Sequence, residues 1–324
     1  MTTIAGIDKN RILEAGSKEP QETLNLPGGQ YALWLVDGSA EWQTPAGDRV
    51  LLSATESMTR LTGPGTVSFT QKTHYVWLLS EDPLGFGSRA PLYRAIMQSH
   101  NRGIGQALAD GLTLRAGQLW VDLGTGTGAM VQALQSQAMV HGPVWILGID
   151  RAAGMLDQAW TYATEASPAW FVEHDISTLS WPHHMIDGVT ALLVLHLVDD
   201  LDALLTHVYQ ALRPGGIFAY AVSADGNPFV RMIMRQIDGA GTFFKRSSKR
   251  VRQQVLKAGF SIINEDTYED EITLDNPAAM RDLIASIGAP ACFGLRADVL
   301  PPSQISRQFD LVWAQKPAAN TKED

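Results

Sequence analysis

The sequence predicts an α/β protein: a parallel sheet covered by helices on both faces, preceded by a small antiparallel β-barrel or sandwich. Three observations predict it. Short alternating runs separated by turn residues fill Leu24–Ser80. From Pro91 onward, helix-like and strand-like runs alternate. The third is Val121-Asp122-Leu123-Gly124-Thr125-Gly126-Thr127-Gly128, an apolar strand that ends in an acid and runs through a glycine-rich turn into a helix. Glycine permits positive φ and close approach of a ligand. Amides at the start of the following helix favour an anionic group. The turn is a nucleotide-type cradle.

Taken in order, residues 1–22 are polar and mixed in charge and read as a disordered N-terminus. Residues 23–82 form the small all-β domain. Its strands are Tyr31–Val36, closed by Asp37-Gly38, then Ala40–Gln43, Arg49–Leu52, Met58–Leu61, Thr66–Thr70 and His74–Leu79, with Gly63-Pro64-Gly65 as a turn. The stretch resembles the half-barrel of the cupin family. Cupin metal sites use several histidines, and His74 is the only one here, so no metal site is expected.

Residues 83–90 read as a linker and 91–316 as the second domain, beginning with a helix at Pro91–Leu112. Gln118–Leu123 is a strand, Ala129–Ala138 a helix, Val144–Asp150 a strand and Ala152–Thr164 a helix. Strands follow at Ala169–Glu173 and Gly188–Leu195, then a helix at Leu201–Leu212 and a strand at Ile217–Val222. A helix at Ser248–Lys257 stops at Gly259, and Asn276-Pro277 opens another that reaches Ile287. Ser261–Tyr268 and Gln308–Lys316 form a closing antiparallel pair, and 317–324 is a disordered tail.

The 324 residues suffice for one large and one smaller core. A hydrophobic content of 45% and a charged content of 18% are those of an ordinary globular protein. A net charge of −9 argues against a nucleic-acid partner. Cys292 is the only cysteine, which excludes an intramolecular disulfide, and its apolar flanks suggest core. No secretory h-region and no bilayer-length apolar run is present, so a cytoplasmic protein without a membrane partner is expected.

Gly124-x-Gly126-x-x-Ala129 also fits the dinucleotide fingerprint, and Asp150 at the end of the second strand suits a ribose diol in either case. Asp122 separates the two. It would receive a ligand ammonium group and repel a pyrophosphate. Four later segments stand in a matching order: Gly148-Ile149-Asp150 with Met155-Leu156, His174-Asp175-Ile176, Ala191–His196, and Leu212-Arg213-Pro214-Gly215-Gly216. On these residues the chain from about 90 to 316 resembles the class I S-adenosylmethionine-dependent methyltransferases of small-molecule type, with their Rossmann-like seven-stranded sheet.

The resemblance implies S-adenosylmethionine as cofactor. Asp122, Gly124, Thr125, Gly126 and Gly128 would hold its methionine end, Asp150 its ribose and Met155 its adenine, with Arg151 beside them. Asp175 would bind the adenine amino group, Ile176 would pack on the ring, and Leu192 and Leu193 would line the sulfonium side. Arg213–Gly216 would be a structural turn. His196, at the end of the fourth strand, and His100, on the first helix, are the candidate general bases; either also reads as a packed histidine. Tyr93, Phe229, Met232 and Phe243 are candidate acceptor contacts. The cluster Lys245, Arg246, Lys249, Arg250 and Arg252 reads as an anion site or, more simply, as a solvated helix face.

The expected function is methyl transfer to O, N or C of a small organic acceptor. The alternatives are methylation of RNA or protein, and a non-catalytic scaffold or sensor that binds the cofactor. A nicotinamide oxidoreductase is disfavoured by Asp122. Residues 24–85 carry three basic and six acidic side chains, unlike an oligonucleotide-binding module. The β-domain is expected to cover the active site or to pair subunits as a homodimer.

Overall fold

The computed structural model describes residues 12–35, 37–54, 59–80, 86–162, 168–179, 181–236, 246–273, 279, 282–283, 286–287 and 304–318. The chain forms two compact units that divide between Ala90 and Pro91.

The first unit is one antiparallel sheet. Its strands are β1 (Ile12–Lys18), β2 (Thr23–Leu35), β3 (Ser39–Gln43), β4 (Arg49–Ser53), β5 (Thr59–Phe69) and β6 (Thr73–Ser80), in the order β1-β6-β2-β5-β3-β4. Leu26, Tyr31, Leu33, Leu35, Trp42, Leu61, Val67 and Phe69 make its core. Two expectations are corrected here. Ile12–Lys18, read as disordered, pairs with β6 as an edge strand; strand formation reports cross-strand partners more than local preference. Gly63-Pro64-Gly65, read as a turn, lies inside β5 opposite a register shift between Leu26 and Gly29. Gly65 is needed because a Cβ there would overlap the Trp42 ring. A packing glycine was thus mistaken for punctuation.

Helix α1 (Phe86–Asp110) starts inside the expected linker and carries Pro91 internally, and its residues from Pro91 onward belong to the second unit. The sheet strands are β7 (Leu119–Leu123), β8 (Trp145–Asp150), β9 (Ala169–Glu173), β10 (Ile186–Leu192), β11 (Leu212–Ser223), β12 (Ser261–Thr273) and β13 (Gln304–Gln315). Their order is β12-β13-β11-β10-β7-β8-β9; β13 runs antiparallel to both its neighbours, β11 and β12, and the other strands run parallel to one another. The helices are α2 (Ala129–His141), α3 (Ala153–Ala159), α4 (Leu201–Ala211), α5 (Pro228–Gln236) and α6 (Ser248–Lys257).

Both faces of this sheet are buried, as a parallel sheet requires. Alternation along β7 sends Trp120 to one face, with Ile104 and Leu108 of α1 and Met130 and Leu134 of α2. It sends Val121 and Leu123 to the other, with Leu201, Leu204, Leu205 and Val208 of α4 and Val251 and Val255 of α6. The four α4 residues sit at the i, i+3, i+4, i+7 spacing of one helix face, and the Asp200 carboxylate caps α4 by accepting from the Ala203 amide at 3.0 Å. At α6 the Ser247 hydroxyl accepts from Arg250 N and the Asp225 carboxylate from Ser248 N.

Three further boundaries differ from expectation. The strand expected to reach Leu195 stops at Leu192, because Leu193 turns the chain with φ 56°. Arg213–Gly216 bulges within β11: Leu212 pairs with Ile186 and Ile217 with Gly188. The β12–β13 ladder continues to Thr273↔Gln304, well past the end of β11 at Ser223. The expected helix cap at Asn276-Pro277 lies outside the described residues.

Candidate functional site

The parallel register places Thr190 of β10 beside Asp122 of β7, and the threonine hydroxyl donates to Asp122 Oδ1 at 2.8 Å. Asp122 is buried, and its Oδ2 has no hydrogen-bond partner. Burial raises its carboxyl to about 7; the nearby Thr125 hydroxyl, close but not aligned as a hydrogen bond, and the Thr190 hydroxyl oppose the rise, and the Asp150 charge adds to it. The cradle follows, with Gly124, Gly126 and Gly128 all at positive φ. Its amides are spent internally: Thr125 N donates to Ile149 O, Gly126 N to Asp150 Oδ2 and Gly128 N to Thr125 O. A pyrophosphate would therefore meet few free N–H groups and two carboxylates.

Asp150 ends β8, where Oδ2 accepts from Gly126 N and Oδ1 from Ala152 N. A carboxylate offers about four lone-pair sites, enough to take a diol as well. Arg151 Nη1 stands 3.9 Å from Asp175 Oδ2. Asp175 caps a 3₁₀ turn by accepting from Ser177 N, so its capping role is real. Met155 and Ile176 are buried, and Leu192 and Leu193 are half-buried at the carboxyl end of β10.

Sequence reading missed several neighbours. Gln98 of α1 receives a 2.5 Å hydrogen bond from Thr127, which ties α1 to the cradle. Asn101 donates to the Tyr93 hydroxyl at 2.8 Å. Gln98 Nε2, Asn101 Oδ1, Asp122 Oδ2 and Thr125 Oγ1 are all buried without partners. Buried polar atoms are nearly always satisfied, so four orphans on and around the cradle fit a ligand that carries both donors and acceptors. No local pattern around Gln98 or Asn101 announces them.

Of the expected acceptor contacts, Tyr93, Phe229 and Met232 share an apolar cluster with Met97, Ile272, Leu283 and Ile305. His100 Nδ1 meets Asp270 Oδ2 at 3.3 Å, a pairing no spacing in the sequence suggested. Phe243 lies outside the described residues. His196 sits in a 3₁₀ turn (Leu195–Leu197), beyond the strand end where it was expected. It keeps some accessible surface, yet burial, aided by the Arg246 charge, lowers it to about 4. A folded pKa below the unfolded value means stability is lost as pH falls from 6.5 toward 4. The melting temperature of His196→Asn should therefore overtake that of the wild type across this window; parallel pH–stability curves would refute the assignment.

Two members of the basic cluster are committed, and Lys245 lies outside the described residues. Arg252 forks onto Glu265 at 2.6 and 3.0 Å, and Arg246 donates to Asp199 O. A depression of about 510 Å³ beside α6 is lined by Asp225, Lys249, Arg252, Glu265, Asp266 and Asp310, among others. No cradle residue lines it, and Asp225 and Glu265 are already bonded to α6.

A parallel sheet closed by an antiparallel hairpin, with an acid and a glycine cradle at the switch point, defines a nucleoside-cofactor enzyme of methyltransferase type. The methyltransferase domain family matches residues 121–220. Malonyl-[acyl-carrier protein] O-methyltransferase of Enterobacter lignolyticus is 26% identical over 242 residues, covering 72% of this chain and 89% of that one. The biotin biosynthesis bifunctional protein BioHC of Teredinibacter turnerae is 30% identical over 129 residues, covering 38% and 22%. The methyltransferase solved with the Haloferax volcanii Trm112 activator shares the fold, with a TM-score of 0.52, 18% identity and coverage of 72% and 98%. Residues 121–220 thus carry a methyltransferase domain, and the relatives and the fold support an S-adenosylmethionine-dependent methyltransferase. Among the described residues, no helix is long and apolar enough to cross a membrane.

Proposed function

We propose that the protein methylates O, N or C of a small organic acceptor. The supporting observation is the apolar cluster of Tyr93, Met97, Phe229, Met232, Ile272 and Ile305, which the overshooting β12–β13 ladder carries to the carboxyl side of the sheet. Open α/β sheets bind ligands there. An apolar wall with few polar groups suits a small molecule.

In this reading Asp122 and Asn101 take the ammonium of the methionine moiety, and Gln98 Nε2 takes its carboxylate. Asp150 binds the ribose. Met155, Asp175 and Ile176 hold the adenine, and Leu192 and Leu193 line the sulfonium side. The cofactor supplies an electrophilic methyl group. The chain's contribution is to align the acceptor and exclude water.

Incubation with methyl-labelled S-adenosylmethionine and a cell extract tests the proposal. Label is expected in the small-molecule fraction. Label in RNA or protein overturns it, and cofactor binding without any label points to the scaffold.

A further inference from the structure

Past the end of β11, the β12–β13 ladder and α1 bring together three side chains that the cofactor site does not use. Ser223 pairs with Phe309 and Phe309 with Tyr268; two residues further on, Asp270 pairs with Arg307. Arg307, only 1% exposed, donates Nε and Nη2 to the two Asp270 oxygens at 2.7 and 2.5 Å. Its guanidinium also lies over the Phe229 and Phe309 rings. Asp270 Oδ2 then faces His100 Nδ1 at 3.3 Å.

A buried ion pair by itself adds little net stability, and two features point further than stapling. Burial alone would push the Asp270 carboxyl up, but hydrogen bonds from His100 and Arg307, with their charges, bring it below its ordinary value. It is ionised at neutral pH and can only accept, which selects the Nδ1–H tautomer of His100 and leaves a lone pair on Nε2. The His100 hydrogen bond among the described residues is made through Nδ1, and the side chain is 27% exposed, which leaves Nε2 for a ligand. The position is also suitable. Gln98, two residues earlier on α1, is bonded to Thr127 of the cradle, and Met97 and Phe229 of the apolar cluster flank the same turn.

We propose that His100 is the general base of the transfer, with Asp270 and Arg307 as positioning residues. The acceptor is then a phenol, alcohol or amine that carries a proton at neutral pH. This rests on the small-acceptor reading above. As the acceptor heteroatom bonds the methyl carbon, its proton passes to His100 Nε2, and the electrons of the broken S–CH₃ bond stay on sulfur. The charged or titratable groups facing His100 are Asp270 from β12 and Arg307 from β13. The Tyr268 phenol, raised by burial, lies further along β12 beside Gly103.

The test follows the labelled product of the extract experiment. His100→Gln should lower kcat by about 100-fold or more while leaving the thermal shift with S-adenosylhomocysteine unchanged. Asp270→Asn should lower kcat with little change in KM, and its ¹⁵N shifts should show a mixed His100 tautomer; a purely structural staple would leave the tautomer unchanged. In wild-type protein, ¹⁵N shifts of His100 should report a protonated Nδ1 and a bare Nε2, a reading independent of how the variants fold. An Nε2–H tautomer, an undiminished kcat in His100→Gln, or an alkali-labile methyl ester as product overturns the assignment. Label absent from every small molecule overturns the small-acceptor reading and this role with it.

Discussion

Asp122→Asn should make the cofactor-free protein more stable above pH 7 and weaken cofactor binding. Burial raises the carboxyl from its ordinary value to about 7. A carboxylate with a raised folded pKa costs nothing below the unfolded pKa of about 4, and its cost grows until the folded pKa is passed. A rise of that size corresponds to at most about 4 kcal/mol. Asparagine can still accept from Thr190, and its amide can donate to Thr125 Oγ1, which has no partner. The melting temperatures should coincide near pH 4 and separate by several degrees at pH 8, the variant higher. The thermal shift from S-adenosylhomocysteine should shrink, since the ammonium loses its counter-charge. Curves that stay together to pH 8 would show that Asp122 carries no such penalty.

Gly124→Ala should abolish that thermal shift and destabilise the second unit by about 1–3 kcal/mol, the usual cost of a non-glycine residue held at positive φ. Gly124 has φ 63°, and a Cβ there would overlap the Val194 side chain. The two causes separate in a double variant. Val194→Ala removes the closest atom of that overlap, Cγ2, and leaves Cβ at 2.8 Å, so Gly124→Ala/Val194→Ala should recover part of the stability while the φ strain and the remaining crowding persist. Complete recovery would mean crowding was the whole effect, and a Gly124→Ala protein that still responds fully to S-adenosylhomocysteine would remove the cradle from the cofactor site.

Several elements were legible because their signals are local. Ser247 and Gly259 bracket α6 by capping chemistry, and the acid and glycines of the cradle lie within seven consecutive residues, Asp122–Gly128. Others depended on a partner. β1 is a strand because β6 lies beside it, Gly65 is a glycine because Trp42 packs there, and β10 stops where Leu193 turns left-handed. The contribution of α1 was the least legible. Gln98 and Asn101, beside the cradle, have no motif, and His100 and Asp270 are 170 positions apart.

The sequence by itself determined the cofactor, because the motifs that point to it are short segments at strand ends, each recognisable by composition and order. Only the tertiary structure brought together the residues proposed to surround the acceptor. That region is assembled from α1, α5 and a strand ladder that outruns its sheet, and contacts among such distant segments exist only after the chain has closed. The carboxylate that orients His100 and the guanidinium that keeps it charged are therefore properties of the fold, visible in no stretch of the chain read alone.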